Sequence, residues 1–330
     1  MGYKKISVGI KGIGSYVPEK ILTNFDLEKM IDTSDEWITS RTGIKERRIA
    51  DENTAPSDLA TKAALKAMED AKIKPEEIDM IIVATITPDM IFPSTACFVQ
   101  KNIKAINATA FDISAACSGF IYGLSIANQF ISSGEVKTVL LIGSETLSKV
   151  VDWQDRNTCI LLGDGAGAAI LGQVEDGQGI LSTYTLSDGS KTNLLMVPGG
   201  GSREPISIEV INKRSHYMKM EGNEVFKYAV RGMEKSIDGA LKKANLTYKD
   251  ISLFIPHQAN MRIIESLARR MELPKDKVFI NLEKYGNTSS ASIPLALDEA
   301  LKTGKIKSKD TILIVSFGSG LTMAAGIIRW

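Results

Sequence analysis

The 330-residue sequence predicts an α/β fold made of two related halves. Short strands alternate with amphipathic helices, and a helix–hook–strand order recurs after about 170 residues. The strands are also continuously apolar rather than apolar at every second position, which calls for sheets covered on both faces.

The first copy runs through helix 57–67, the hook Ile73-Lys74-Pro75-Glu76-Glu77-Ile78 and the strand Met80-Ile81-Ile82-Val83-Ala84. Residues 229–257 repeat it, with Ala240-Leu241-Lys242-Lys243-Ala244 in the helix, the hook 246–251 and the strand Leu253-Phe254-Ile255 ending at Pro256-His257. A second pair follows: helix 124–133 leads to the strand 139–143, and helix 297–303 leads to the strand 312–316. Gly134 and Gly304 stand where a helix C-terminus favours a left-handed residue. The turn-rich residues 173–179 mark the divide, giving halves 1–176 and 177–330.

Composition narrows the function classes. With 40 Lys+Arg against 39 Asp+Glu, 44% hydrophobic and 24% charged residues, the chain reads as an ordinary globular protein. Nucleic-acid binding through bulk charge is excluded. Cys97, Cys117 and Cys159 are odd in number and lack metal-ligand spacing, so neither a metal site nor a disulfide framework is expected. Reduced thiols point to the cytoplasm. Met1-Gly2-Tyr3-Lys4-Lys5 leads into an apolar run, 6–10, too short for a secretion signal, and no stretch has the length of a membrane span.

The repeat also points to a site. Projecting Cys117 forward by the same offset lands on Asn287, and each precedes a helix after a strand-like run, 110–113 or 278–280. Approximate two-fold symmetry would bring the two positions together. His257 ends the first matched strand of the second half, where α/β proteins usually contact ligands. Cys117, in Ser114-Ala115-Ala116-Cys117-Ser118-Gly119-Phe120, begins a helix whose N-terminus favours thiolate. Cys97 and Cys159 read as small buried hydrophobes, and Asn287 taken alone reads as a helix cap.

Three segments, Ala115-Ala116-Cys117-Ser118-Gly119-Phe120, Pro256-His257-Gln258-Ala259-Asn260-Met261-Arg262-Ile263-Ile264 and Tyr285-Gly286-Asn287-Thr288-Ser289-Ser290-Ala291-Ser292, resemble the motifs of β-ketoacyl-acyl-carrier-protein synthase III. Segments 33–38, 41–44, 92–94, 163–168 and 221–227 are similar to the same family, so the resemblance runs almost end to end. It implies a thiolase-like five-layer αβαβα fold, a homodimer and a condensing enzyme that initiates fatty-acid synthesis. Cys117 would take an acyl group from acyl-coenzyme A, with the backbone N–H groups of Cys117 and Ser319 as oxyanion hole. His257 and Asn287 would donate hydrogen bonds to the enolate formed when malonyl-acyl-carrier protein loses CO2. Asn287 points to the initiating type, because the elongating relatives carry two histidines.

The resemblance further implies that Trp37 and Arg156 sandwich the coenzyme A adenine, with Arg41 near the phosphates and Asn260 orienting pantetheine or histidine. Phe92 would reach the partner subunit's acyl pocket. Acyl-coenzyme A is then a substrate, and neither cofactor nor metal is required. In helix 261–271, Arg262 and Arg269 lie opposite Ile263, Ile264, Leu267 and Met271, with Arg270 nearby. With Lys227 these arginines would form a basic docking surface for the acidic carrier protein.

One loop departs from the family's pattern: the usual three-glycine run is Gly318-Ser319-Gly320. Gly12-Ile13-Gly14 lacks the later glycine of a dinucleotide loop. The alternatives are a polyketide- or alkylquinolone-type condensing enzyme and, from another class, a Cys-His-Asn hydrolase. The hydrolase lacks a reason for the repeat. A degradative thiolase would need a second cysteine late in the chain, and none follows Cys159.

Overall fold

A computed structural model describes residues 6–330, so Met1 to Lys5 lie outside the described residues. The first sheet contains β1 (Val8–Tyr16), β2 (Met80–Ala84), β3 (Thr109–Ile113), β4 (Val139–Glu145) and β5 (Gly165–Gln173), in the order β1-β5-β4-β2-β3. The second contains β6 (Gly179–Ser187), β7 (Leu253–Pro256), β8 (Thr311–Gly318) and β9 (Thr322–Arg329), in the order β7-β8-β9-β6. Corresponding pairs run in the same sense. β4 is parallel to β2 as β8 is to β7, and β5 is antiparallel to β4 as β9 is to β8.

Seven helices position the site: α1 (Asp35–Thr42), α2 (Pro56–Ala71), α3 (Thr95–Ile103), α4 (Gly119–Ser132), α5 (Gly222–Ala244), α6 (Met261–Arg270) and α7 (Ser292–Lys302). Alternation along the strands makes five layers. Ile81, Val83, Leu140 and Ile142 face α2 and α3, whereas Ile82 and Leu141 face inward. The inward set packs on Phe120, Ile121 and Leu124 of α4 and on Ile293 and Leu297 of α7. Ile312 and Ile314 of the second sheet meet those same helices, while Leu313 and Val315 face α5 and α6. Phe120, Ile121 and Leu124, fully buried on α4, each contribute about 1.5–3 kcal/mol. Gly12 and Gly14 belong to β1, where an added Cβ would stand 2.4 Å from backbone nitrogens of α2. They permit close helix–strand packing and form no phosphate loop.

Two sequence expectations change in register. Residues 278–280 do not form a full strand: Val278 makes a single bridge to Phe254. The buried Gln258 side chain replaces the ladder beyond it, donating to Phe279 O and accepting from the N–H groups of Asn281 and Leu282. The counterpart of Cys117 is Ser290 rather than Asn287. The 3₁₀ turns Ala116–Ser118 and Ser289–Ala291 each run directly into a central helix, α4 or α7, and that alignment pairs Cys117 with Ser290. Ala116 and Ser289, which open those turns, both have positive φ, 46° and 50°. Such strain in non-glycine residues is held in place by the surrounding packing.

Candidate active site

Cys117 sits on the turn between β3 and α4. Its carbonyl accepts the Ser316 hydroxyl at 2.6 Å, and Thr322 Oγ1 donates to Ala115 O at 2.9 Å, so the second half braces the turn from below. Gly318 has to be a glycine here, because a Cβ would lie 2.7 Å from the Cys117 nitrogen. Asn287 is fixed by backbone: its N–H donates to Leu161 O at 2.8 Å and its carbonyl accepts Gly163 N–H at 3.0 Å. Its side-chain oxygen accepts Ser289 N–H at 2.8 Å, which leaves the amide nitrogen, a pure donor, for the site. Arg47, fully buried, braces the same segment by donating to Ile160 O at 2.7 Å.

His257 follows β7 and is only 4% exposed. Its N–H donates to Val315 O, and its Nδ1 lies 3.0 Å from the Ser292 hydroxyl. Ser292 Oγ also accepts Gln258 N–H at 2.7 Å. Ser292 donating to Nδ1 gives its hydroxyl hydrogen a partner and puts the ring proton on Nε2, where no group among the described residues accepts it and it is left for the cavity. Burial alone pushes His257 down to about 3, so the ring is neutral at physiological pH.

Two cavities meet at Cys117 and Asn287. One, of about 420 Å³, is walled mainly by apolar side chains, among them Ile86, Leu147, Leu162, Leu195 and Met218. The other, about 810 Å³, includes Trp37, Arg41, Phe226, His257, Asn260 and Arg262. Cys117, His257 and Asn287 are therefore brought to one place.

The thiol differs from the sequence expectation. Burial, reinforced by the Glu145 charge, pushes Cys117 up to about 12 despite a lowering contact from the Ser289 hydroxyl. That loss of water works against the thiolate which the helix N-terminus favours. Cys159 is buried and pushed up to about 11, while Cys97 accepts the Ser94 hydroxyl at the start of α3. His216 packs against Tyr217 and lines neither cavity.

The other expected residues divide. Trp37 lies under both Arg41 and Arg156, 4.7 and 4.6 Å from ring centre to guanidinium carbon. That spacing holds no flat ring between Trp37 and Arg156, so an adenine sandwich requires Arg156 to leave its bond to Asp32 O. Asn260 caps α6, accepting Arg262 N–H, and lines the larger cavity. Ser319 lines the smaller one, and its hydroxyl is spent on Leu195 O. Phe92 is 82% exposed and lines neither. Lys227 and Arg262 edge the larger cavity and Arg269 is exposed, but Arg270 is turned toward Glu234 and Asp238 of α5, 3.5 and 3.8 Å away.

Sequence reasoning missed Glu145. It ends β4 fully buried and takes contacts from Thr85, Thr87, Ser289 and Ser290 hydroxyls and from Ile86 N–H. Its signal was a charged residue closing a continuous apolar strand. Among the described residues, no cluster of three or more His, Cys, Asp or Glu is arranged to hold a metal, and no helix is long and apolar enough to cross a membrane.

Comparison with known proteins places this geometry. Residues 111–189 match the family model described as 3-oxoacyl-[acyl-carrier-protein (ACP)] synthase III, and residues 241–330 match the model of its C-terminal part. The chain is 61% identical over 327 residues to β-ketoacyl-[acyl-carrier-protein] synthase III of Caldanaerobacter subterraneus subsp. tengcongensis, covering 99% of both chains. It is 57% identical to that of Clostridioides difficile, covering 98% of both. The crystal structure of 3-oxoacyl-[acyl-carrier-protein] synthase III from Aquifex aeolicus superposes with a TM-score of 0.91 at 53% identity, covering 98% of this chain and 100% of that one. These relatives carry one name over nearly their full length, which favours neither the other condensing enzymes nor the hydrolase. The thiolase-like αβαβα chain therefore belongs to the β-ketoacyl-[acyl-carrier-protein] synthase III family, the initiating condensing enzymes of fatty-acid synthesis.

Proposed function

We propose that this protein joins a short acyl group from acyl-coenzyme A to malonyl-acyl-carrier protein, giving 3-ketoacyl-acyl-carrier protein, CO2 and coenzyme A. The observation that carries this reading is the meeting of two cavities at Cys117, beside Asn287 and along the wall that holds His257. The larger cavity suits a pantetheine arm, with Trp37, Arg41 and Asn260 along it and Arg156 swinging out to admit adenine. The smaller apolar one suits the acyl chain.

In the first half-reaction the Cys117 sulfur attacks the thioester carbonyl, and the N–H groups of Cys117 and Ser319 receive its oxygen. In the second, malonyl-acyl-carrier protein loses CO2 while His257 Nε2–H and Asn287 Nδ2–H hold the enolate oxygen. Both donors are neutral, so the enolate is stabilised without being quenched. Its carbon attacks the acyl-Cys117 thioester and expels the sulfur.

On this reading the chain acts in the cytoplasm, where its three free thiols stay reduced, and needs no metal or cofactor beyond its substrates. It divides functionally at 176/177 into a half bearing the nucleophile and a half bearing the two donors. A second copy of the chain is proposed to cover Ile91 and Phe92, both largely exposed, and to receive Phe92 at its acyl cavity. The carrier protein is proposed to dock on Lys227, Arg262 and Arg269, with Arg270 contributing less.

The test is incubation with a panel of acyl-coenzymes A, intact mass and peptide mapping, then addition of malonyl-acyl-carrier protein. Acylation at Cys117 followed by 3-ketoacyl product supports the reading. Product formation unimpaired in Cys117→Ala would remove it.

A further inference from the structure

Acyl transfer to Cys117 requires the thiol to lose a proton, and the protein is built so that His257 does not take it. Nδ1 already receives the Ser292 hydroxyl hydrogen and Nε2 already carries one. Behind the sulfur stands a different group. Ser289 lines the same cavity as Cys117, its hydroxyl favours the Cys117 thiolate, and that hydroxyl lies 3.0 Å from Glu145 Oε1.

Glu145 has partners for both of its protonation states. As carboxylate it accepts from Thr87 Oγ1 at 2.7 Å, Thr85 Oγ1 and Ile86 N–H at 3.1 Å, and Ser289. The Ser290 hydroxyl has Ala84 O as an acceptor at 2.7 Å, so its oxygen, 3.0 Å from Glu145 Oε1, can receive a hydrogen when the carboxyl is protonated. Burial raises Glu145 above the ordinary carboxylate range, which narrows the gap between it and the thiol.

We propose that Glu145 stores the proton that Cys117 gives up on acylation, and that Ser289 relays it. As the sulfur attacks the thioester carbon, its hydrogen passes to Ser289 Oγ and the Ser289 hydrogen passes to Glu145 Oε1. The C–S bond to coenzyme A breaks, and its thiolate takes a proton from solvent. In the condensation the enolate carbon bonds to the acyl carbon, and the Cys117 C–S bond breaks. The released thiolate recovers its hydrogen from Ser289, which is resupplied by Glu145. The net cycle consumes one solvent proton, as loss of CO2 from a malonyl carboxylate demands. This inference rests on the acyl-transfer reading of the site.

The experiment is difference infrared spectroscopy of the whole enzyme with and without acetyl-coenzyme A, with intact mass taken on the same sample. Acylation is expected to bring up one protonated-carboxyl band, sensitive to D2O and absent in Glu145→Gln. Glu145→Gln and Ser289→Ala are each expected to slow acylation about 100-fold with KM little changed. Full acylation of Cys117 with no carboxyl band overturns the proton store, whether or not either variant folds. A band that persists in Glu145→Gln, or acylation there at the unmodified rate, does the same. No mass gain on Cys117 removes the acyl-transfer reading itself, and this inference with it.

Discussion

The Ser292 hydroxyl lies 3.0 Å from Nδ1 of His257, and the same oxygen receives the N–H of Gln258. A residue at the start of one central helix thereby sets which nitrogen of a buried imidazole presents hydrogen to the cavity. Removing that hydroxyl frees the ring to take the other tautomer. Ser292→Ala is expected to move the ring nitrogen signals in 15N NMR toward the Nδ1–H form and to lower the condensation rate about tenfold, with Cys117 acylation less affected. Unchanged ring signals would remove the role assigned to Ser292.

Cys117 ionises late, because burial holds it up to about 12. Its alkylation by iodoacetamide is expected to rise about tenfold per pH unit from pH 6 to pH 9 with no plateau, as the thiolate fraction grows. A plateau below pH 8 would show a stabilised thiolate.

His257 links stability to pH. Its value falls from 6.5 to about 3 on folding, so below 6.5 the unfolded chain binds a proton that the folded chain refuses. Stability is complete above that pH and is lost as pH falls toward 3. By pH 5 the loss is about 2 kcal/mol. Urea unfolding at pH 7 and pH 5 measures it, and subtracting the His257→Gln curve isolates the histidine. Identical pH dependence in the two proteins would contradict the neutral buried ring.

The basic residues of α6 are unequal. Arg262 edges the larger cavity, whereas Arg270 is held near Glu234 and Asp238. Arg262→Glu is expected to lower kcat/KM for malonyl-acyl-carrier protein about tenfold at low salt, and Arg270→Glu less, with both effects shrinking as salt rises. A larger effect at Arg270 would relocate the docking surface.

Much of this molecule is legible in its sequence because strands and helices report their own burial. The continuous apolar runs at 80–84 and 139–143 announce strands covered on both faces, and the repeat announces the second sheet. The missed features are those in which a side chain substitutes for backbone or charge is carried into the core. Beyond the single Val278–Phe254 bridge, the Gln258 side chain takes up the backbone groups of Phe279, Asn281 and Leu282, which no periodicity reveals. The offset that paired Cys117 with Asn287 was three residues short, because both central helices are entered through 3₁₀ turns whose lengths only the backbone shows. Cys117 was expected to ionise from its place at a helix start, but that placement carries no information about how dry the site is. Arg156 was expected across an adenine from Trp37, but its guanidinium rests directly on that ring.

The division of labour among Cys117, His257 and Asn287 is tested most directly by CO2 release from acylated enzyme mixed with carboxyl-labelled malonyl-acyl-carrier protein. His257→Ala and Asn287→Ala are expected to carry the acyl group on Cys117 and yet release CO2 at least about 100-fold more slowly than the unmodified chain. Release at the unmodified rate in either variant would contradict the assignment of these two side chains to the enolate.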